Sequence, residues 1–154
     1  MAKGLTHINK QGKIKMVDVT GKKAVLRRAA ARGRINMQAS TLELIEKKEI
    51  VKGDVFNSAR LAGIMGAKKA SEIIPLCHPL PLSAIDLEIK SEPRTNSILI
   101  EAEVKTEAKT GVEMEALTAV AVAALTVYDM AKAVDKTMEI GEIRLVKKTK
   151  GSIS

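Results

Sequence analysis

From residue 24 to residue 37 apolar and polar positions alternate. Val25, Ala29, Ala31, Ile35 and Met37 share one parity, and Arg28, Arg32 and Arg34 share the other. That spacing is the signature of a strand with one face buried. Arg27 breaks the rule by sharing the parity of the apolar set. A charge on the inward side needs an anionic neighbour or the mouth of a site. Ser40-Thr41 stand ahead of Leu42, Leu44 and Ile45, with Glu43 in the first turn, which predicts a short capped helix. Lys52-Gly53-Asp54 interrupts the pattern, and Asp54 is placed to cap a second helix. In it Val55, Ala59, Ala62, Gly63, Gly66, Ala67 and Ala70 recur at helical spacing to about residue 74. The small residues Ala62, Gly63 and Gly66 predict close packing against another element. Pro75, Pro79 and Pro81 end the helix and hold Leu76-Cys77-His78 in a stiff connector.

Alternation returns over residues 83–90 (Ile85, Leu87, Ile89) and again over 97–107 (Ile98, Ile100, Ala102, Val104). The turn chemistry of Glu92-Pro93-Arg94-Thr95-Asn96 lies between them, so the pair reads as a β-hairpin. An Ala-rich helix is expected over residues 113–136, and a last strand begins with Ile143, Leu145 and Lys147. Strand, two helices, hairpin, helix, strand is the split β-α-β, ferredoxin-like plan. It is an α+β fold with one antiparallel sheet and helices on one face. The other face of such a sheet stays open unless a second subunit covers it, so an oligomer is expected.

Length sharpens this picture: 154 residues and 45% hydrophobic content suit one domain with an ordinary core. We expect an extended, polar arm over residues 1–22, the folded domain over 23–148 and a short basic tail over 149–154. The longest uncharged apolar run, residues 116–128, falls short of the roughly 20 residues a membrane span needs. No membrane partner is expected. The net charge of +8 calls for an anionic partner without choosing its class. Phe56 and Tyr128 are the only aromatic residues, too few for a platform that stacks single-stranded nucleic acid. One cysteine, Cys77, leaves no intramolecular disulfide, and the N-terminus carries no apolar signal core, which fits a reducing, cytoplasmic setting.

Several residues are candidates for chemistry. His78, flanked by Cys77 and Pro79, is either a connector histidine bonded to backbone or a rigidly held proton-transfer group. Cys77 has nothing near it in sequence to activate a thiolate, so it reads as a packed or site-lining residue. Glu113 and Glu115 open the long helix. They either complement its dipole or accept hydrogen bonds from a guanidine-like ring edge. Asp129, Lys132 and Lys136 fall on one helical stripe. An exposed salt bridge is the ordinary reading of such a pair, but the apolar run before Asp129 puts it at the end of a buried helix, where a carboxylate beside an ammonium suits acid–base work. Lys52 is a charge at a helix entry. The basic run Lys147, Lys148 and Lys150 is a solvated face or a fold over an anion. There is no Walker loop and no GxGxxG after a strand, so any triphosphate must be held by Lys and Arg charges.

Six stretches in this order carry a resemblance: Leu5-Thr6-His7-Ile8 with Met16-Val17-Asp18-Val19, Lys52-Gly53-Asp54-Val55, Ile74-Pro75-Leu76-Cys77-His78-Pro79-Leu80, residues 109–117 (Lys109-Thr110-Gly111-Val112-Glu113-Met114-Glu115-Ala116-Leu117), and Leu125-Thr126-Val127-Tyr128-Asp129-Met130. They closely resemble the molybdenum cofactor biosynthesis protein C family, the cyclic pyranopterin monophosphate synthases, over residues 5 to about 148. The chain departs from the family's usual Lys-Ser-Gly-Gly-Lys-Ser-Gly ending, reading Lys148-Thr149-Lys150-Gly151-Ser152 instead. The resemblance implies an enzyme of the lyase class. Such an enzyme rearranges the cyclic dihydro-GTP triphosphate to cyclic pyranopterin monophosphate and releases pyrophosphate. It implies a ferredoxin-like homohexamer, a trimer of dimers, with sites at the dimer interface. It also implies that Asp129 is the catalytic acid/base with Lys52 and Lys132 as its partners. Leu76, Cys77 and His78 then line the substrate, Met114 and Glu115 hold its base portion, and Glu113, Arg27 and Lys148 complete the binding set. No metal-ligand cluster is evident, and a magnesium ion would ride on the triphosphate. The rival class, a basic ferredoxin-like RNA-binding protein, lacks stacking aromatics on the sheet strands and places Asp129 and Glu115 where a phosphate backbone is repelled.

Overall fold

Small side chains on the central strand decide how the layers meet. In the computed structural model, which describes residues 7–8 and 11–151, β1 (Val25–Asn36) buries Ala29, Ala31 and Ile35 on one side. Gly33 sits among them, and a Cβ there would lie 2.7 Å from Val120 Cγ1 of the crossing helix. The chain continues through α1 (Ala39–Glu46), α2 (Val55–Lys68), α3 (Ala70–Ile73), β2 (Leu82–Glu92), β3 (Ser97–Ala108), α4 (Glu113–Ala131) and β4 (Glu139–Gly151). The sheet order is β2-β3-β1-β4, every neighbouring pair antiparallel. This is the ferredoxin-like α+β arrangement. The hairpin turns through a 3-10 segment, Pro93–Thr95, and a left-handed Asn96. Residues 1–6, with Leu5 and Thr6 of the first motif, and residues 152–154 of the expected tail lie outside the described residues.

The core lies between the sheet's inner face and α4, whose Ala116, Ala119, Val120, Ala123, Ala124 and Val127 are fully buried. At 19 residues α4 is long and apolar enough by composition to cross a membrane, beyond the run read from the sequence, but it is the core helix of this fold. Asp54 caps α2, its Oδ1 accepting the Asn57 N–H at 3.0 Å. Gly63 and Gly66 pack α2 directly onto α4: a Cβ on Gly63 would stand 2.9 Å from the Ala119 carbonyl oxygen, and one on Gly66 2.8 Å from Val122 Cγ2.

Four boundaries differ from the pattern's expectation. First, α1 begins at Ala39, with Ser40 and Thr41 inside it and no side-chain cap from Gln38. Its cap comes from a distant residue. Asp135, 2% exposed, accepts the Gln38 backbone N–H at 2.9 Å and the Thr41 hydroxyl at 3.2 Å, and its other oxygen takes the Thr137 N–H at 2.8 Å. Second, the helix expected to reach residue 74 breaks at Lys69 into α2 and α3. Third, α4 stops at Ala131, so Lys136 leaves the stripe and only Asp129 and Lys132 remain paired. Fourth, β4 starts at Glu139 and continues through Thr149 and Lys150 to Gly151. A left-handed Glu142 and two register shifts against β1 interrupt its alternation, and a period-two search finds only part of it.

Because the Ala119 carbonyl is backbone and cannot swing away, Gly63→Ala should lower stability by about 1–3 kcal/mol. Urea unfolding of the variant checks this; an unchanged midpoint contradicts the close helix contact.

Candidate functional site

The prolines of the 75–81 connector do what the sequence suggests. The Cys77 N–H closes a turn onto the Ile74 carbonyl at 3.1 Å, and the chain then runs extended into β2. His78 faces the N-terminal arm, its Nε2 2.8 Å from the Val17 carbonyl oxygen. Lys109 Nζ donates to the Thr20 carbonyl at 2.8 Å. These two bonds strap the arm across the N-terminal end of α4.

Under the strap is a pocket of about 380 Å³, lined by Leu76, Cys77 and His78 from the connector, Glu113, Met114 and Glu115 from α4, and His7, Val17, Val19 and Lys22 from the arm. Six residues expected to bind substrate therefore meet in one cavity. Glu115 is only 4% exposed. Burial raises its carboxyl above the usual range, and the Glu113 charge pushes the same way, against a hydrogen bond from its own backbone N–H. Burial also raises the Cys77 thiol, helped by Glu115. The thiol is thereby kept protonated, which suits a lining residue rather than a nucleophile.

A second hollow of about 330 Å³ adjoins the first, sharing Gly111 and Glu113 and adding Arg27, Arg28, Lys148 and Lys150. Lys148 Nζ lies 3.2 Å from Glu113 Oε1. Among the described residues Arg27 hydrogen-bonds to no carboxylate. Its Nε donates to the Ala108 carbonyl at 3.4 Å and its Nη2 to that of Lys109 at 3.2 Å. Two backbone carbonyls thus hold an inward-parity guanidinium at the rim of a basic hollow.

The remaining three residues assemble elsewhere. Lys52, from the loop before α2, donates to Asp129 Oδ2 at 2.9 Å and to the Asp129 carbonyl at 2.8 Å. Lys132 Nζ lies 2.6 Å from Asp129 Oδ1. Hydrogen bonds from Lys132 and then Lys52, reinforced by their charges, hold the Asp129 carboxyl down to about 2. The same bond raises Lys132. At neutral pH the trio is two ammoniums around one carboxylate. It is not at a buried boundary as the sequence implied: the Lys52, Asp129 and Lys132 side chains are 46%, 57% and 52% exposed. Val51, Leu125 and Val134 beside them are exposed apolar residues. Sixteen helical positions separate Glu113 from Asp129, about 24 Å at 1.5 Å per residue. The pocket and the trio therefore lie at opposite ends of α4.

Sequence reasoning took the arm as a plain extended segment and so missed Lys22 as a pocket residue. Lys22 sits in a Gly-Lys-Lys run that reads as a solvated charge, and only the strap made by His78 and Lys109 reveals its position. Among the described residues no group of three or more His, Cys, Asp or Glu side chains is placed to hold a metal ion.

The family model described as the MoaC family matches residues 16–151, a span that includes the Lys52–Asp129–Lys132 cluster and every pocket residue named above except His7. A relative from Pelotomaculum thermopropionicum, named cyclic pyranopterin monophosphate synthase, is 55% identical over 148 residues, covering 96% of this chain and 87% of its own. A Roseiflexus castenholzii protein of the same name is 53% identical, covering 96% and 93%. One from a Nostoc species, again of that name, is 54% identical, covering 96% and 88%. Likeness of this extent, running through the strapped pocket, the basic hollow and the Lys52–Asp129–Lys132 cluster, means that the chain belongs to the MoaC family.

Proposed function

We propose that this chain is a cyclic pyranopterin monophosphate synthase of molybdenum cofactor biosynthesis. It converts the cyclic dihydro-GTP triphosphate to cyclic pyranopterin monophosphate with release of pyrophosphate, in sites that each draw on two protomers. The observation that carries the reading is the joining of a pocket holding Glu115, Met114 and His78 to a basic hollow holding Arg27 and Lys148. A guanine-derived base needs fixed acceptors for its N–H edge, which Glu113 and Glu115 supply. A triphosphate carries about four negative charges, which Arg27, Lys148, Lys22 and Lys150 offset. A magnesium ion, where present, rides on the phosphate oxygens as part of the substrate.

Proton transfer falls to the distant trio. Asp129, held near 2, stays ionised and cannot donate a proton at neutral pH. It serves as the carboxylate that orients Lys52 and Lys132, and the ammoniums are the groups with protons to give. When a second protomer covers the trio, loss of water disfavours the charged ammonium and eases its proton transfer to substrate. The same cations meet charge on the departing pyrophosphate as the ribose hydroxyl closes on the α-phosphate. Covering the trio requires assembly, and the exposed Val51, Leu125 and Val134 offer an apolar surface for it. We take the assembly to be a homohexamer, a trimer of dimers, in the cytoplasm, where the lone Cys77 stays reduced.

Pyrophosphate assay with the cyclic dihydro-GTP intermediate should show turnover by the wild type. Asp129→Asn should lower it at least about 100-fold with fold and assembly intact; full activity in that variant removes Asp129 from the mechanism. Mixing Asp129→Asn with Glu115→Gln chains, refolded together, should recover about one quarter of wild-type sites if each site is shared by two chains. A mixture as inactive as its parents rules out sharing. Since the folded Asp129 carboxyl lies below its ordinary value, its stabilising effect is complete above about pH 4 and is lost as pH falls toward 2. The thermal-midpoint difference between wild type and Asp129→Asn should shrink over that window. A constant difference contradicts the ion-paired trio.

A further inference from the structure

Lys52 and the Asp129–Lys132 pair reach the same point from different parts of the fold, so their spacing depends on how those parts are joined. Lys52 is carried by α1. That helix ends in a Schellman turn. The Lys48 N–H bonds to the Ile45 carbonyl at 3.1 Å and the Glu49 N–H to that of Leu44 at 2.9 Å, with Lys48 left-handed at φ 58°. Buried Ile50 follows, and the Gly53 N–H closes the next turn onto its carbonyl at 2.9 Å, with Gly53 at φ 103°. Hydrogen-bonded turns thus run from α1 to both sides of Lys52, and Lys52 moves with α1. Lys132 directly follows α4. Past it the Val134 and Asp135 N–H groups bond back to the Ala131 carbonyl at 2.9 and 3.1 Å, which fixes Asp135 to the same end of α4.

Asp135 joins the two parts. Its carboxylate, 2% exposed, takes donors on both oxygens. Oδ2 accepts the Gln38 N–H at 2.9 Å and the Thr41 hydroxyl at 3.2 Å, both at the start of α1. Oδ1 accepts the Thr137 N–H at 2.8 Å, the Thr137 hydroxyl at 2.7 Å and the Gln38 side-chain amide at 3.5 Å. Burial pushes the carboxyl up, but these donors outweigh it and hold it below the usual range, so it is ionised at neutral pH. Lost hydration offsets the bonds of a buried ion, so its net effect on stability is small beside its hold on the groups around it. A serine or aspartate at position 38 would cap α1 more simply, and Gln38 provides no side-chain cap. We propose that Asp135 is a positioning residue for the Lys52–Asp129–Lys132 cluster: by clamping the start of α1 to the turn after α4, it holds Lys52 within hydrogen-bond reach of Asp129. The contacts close a ring, from Asp129 along the end of α4 to Asp135, across to α1, along α1 to Lys52 and back to Asp129 at 2.9 Å. Opening the ring at Asp135 leaves the Asp129–Lys132 pair, three residues apart on one helical stripe, and frees Lys52. The effect on turnover rests on the proposed role of the cluster, whereas the clamp itself does not.

The test compares the wild type with Asp135→Asn, whose amide cannot accept hydrogen bonds on both sides, at a temperature well below unfolding. With the cyclic dihydro-GTP intermediate, kcat should fall about 10- to 100-fold. KM should stay within about twofold, because the strapped pocket lies at the far end of α4. In parallel, amine acylation read by peptide mass spectrometry should label Lys52 at least about threefold faster in the variant, since an ammonium released from a carboxylate gives up its proton more readily. Lys109, held on the Thr20 carbonyl at 2.8 Å, should label at its wild-type rate. General loosening would instead accelerate both lysines alike. Should Asp135→Asn fail to fold, Thr41→Val/Thr137→Val leaves the carboxylate on its two backbone N–H groups and should show the same effects at smaller size. Unchanged kcat, or Lys52 labelling that rises no more than that of Lys109, overturns the proposal. Labelling needs no substrate, so a wild type without turnover would sink the functional reading and leave the clamp to be decided by Lys52.

Discussion

One 19-residue helix sets the layout of this molecule. α4 is rigid because its buried face packs on the sheet and on α2 through glycines that admit no side chain. It carries Glu113 and Glu115 at its start and Asp129 in its last turn. The separation of the strapped pocket from the Lys52–Asp129–Lys132 cluster is therefore set by helix length. On the proposed reading, groups so far apart along one rod serve one reaction by drawing on a second copy, and assembly is part of the chemistry.

The two ends differ in electrostatic character for reasons visible in their surroundings. At the N-terminal end, burial beneath the strapped arm raises the Glu115 carboxyl and keeps Cys77 a thiol. At the C-terminal end, two ammoniums in open solvent hold Asp129 ionised. One carboxyl thus resists ionisation and the other resists protonation; the proposed function gives the first the base edge to recognise and the second the proton donors to orient. Arg27 and Lys148 stand between the pocket and solvent, where a polyanionic tail would extend.

Much of this was legible in the residues. The alternation in β1 and the hairpin, the prolines around His78 and the apolar run of α4 fixed the ferredoxin-like plan, and Arg27, on the inward parity, lies at a basic hollow. The family motifs named the six residues that meet in the strapped pocket and the three of the Lys52–Asp129–Lys132 cluster. What stayed hidden depended on contacts between distant segments. Asp135 caps α1 from almost a hundred residues away, so Ser40 and Thr41 gave a local signal that lost to a tertiary one. β4 hid its length behind bulges, and Lys22 showed its place only once the arm was strapped down. An apolar run before a residue says nothing about the direction its own side chain takes, and the Asp129 side chain stands in solvent at the end of a buried helix.

The central claim is that the pocket of one protomer and the Lys52–Asp129–Lys132 cluster of another form a single site. A crystal structure of the assembled protein with the cyclic pyranopterin product bound tests it most directly. The account requires the pterin beside Glu115 and Met114, with Lys52 and Lys132 of a neighbouring protomer within hydrogen-bond reach of the same molecule. A product seated in the pocket with every such cluster far away and open to bulk water would contradict it.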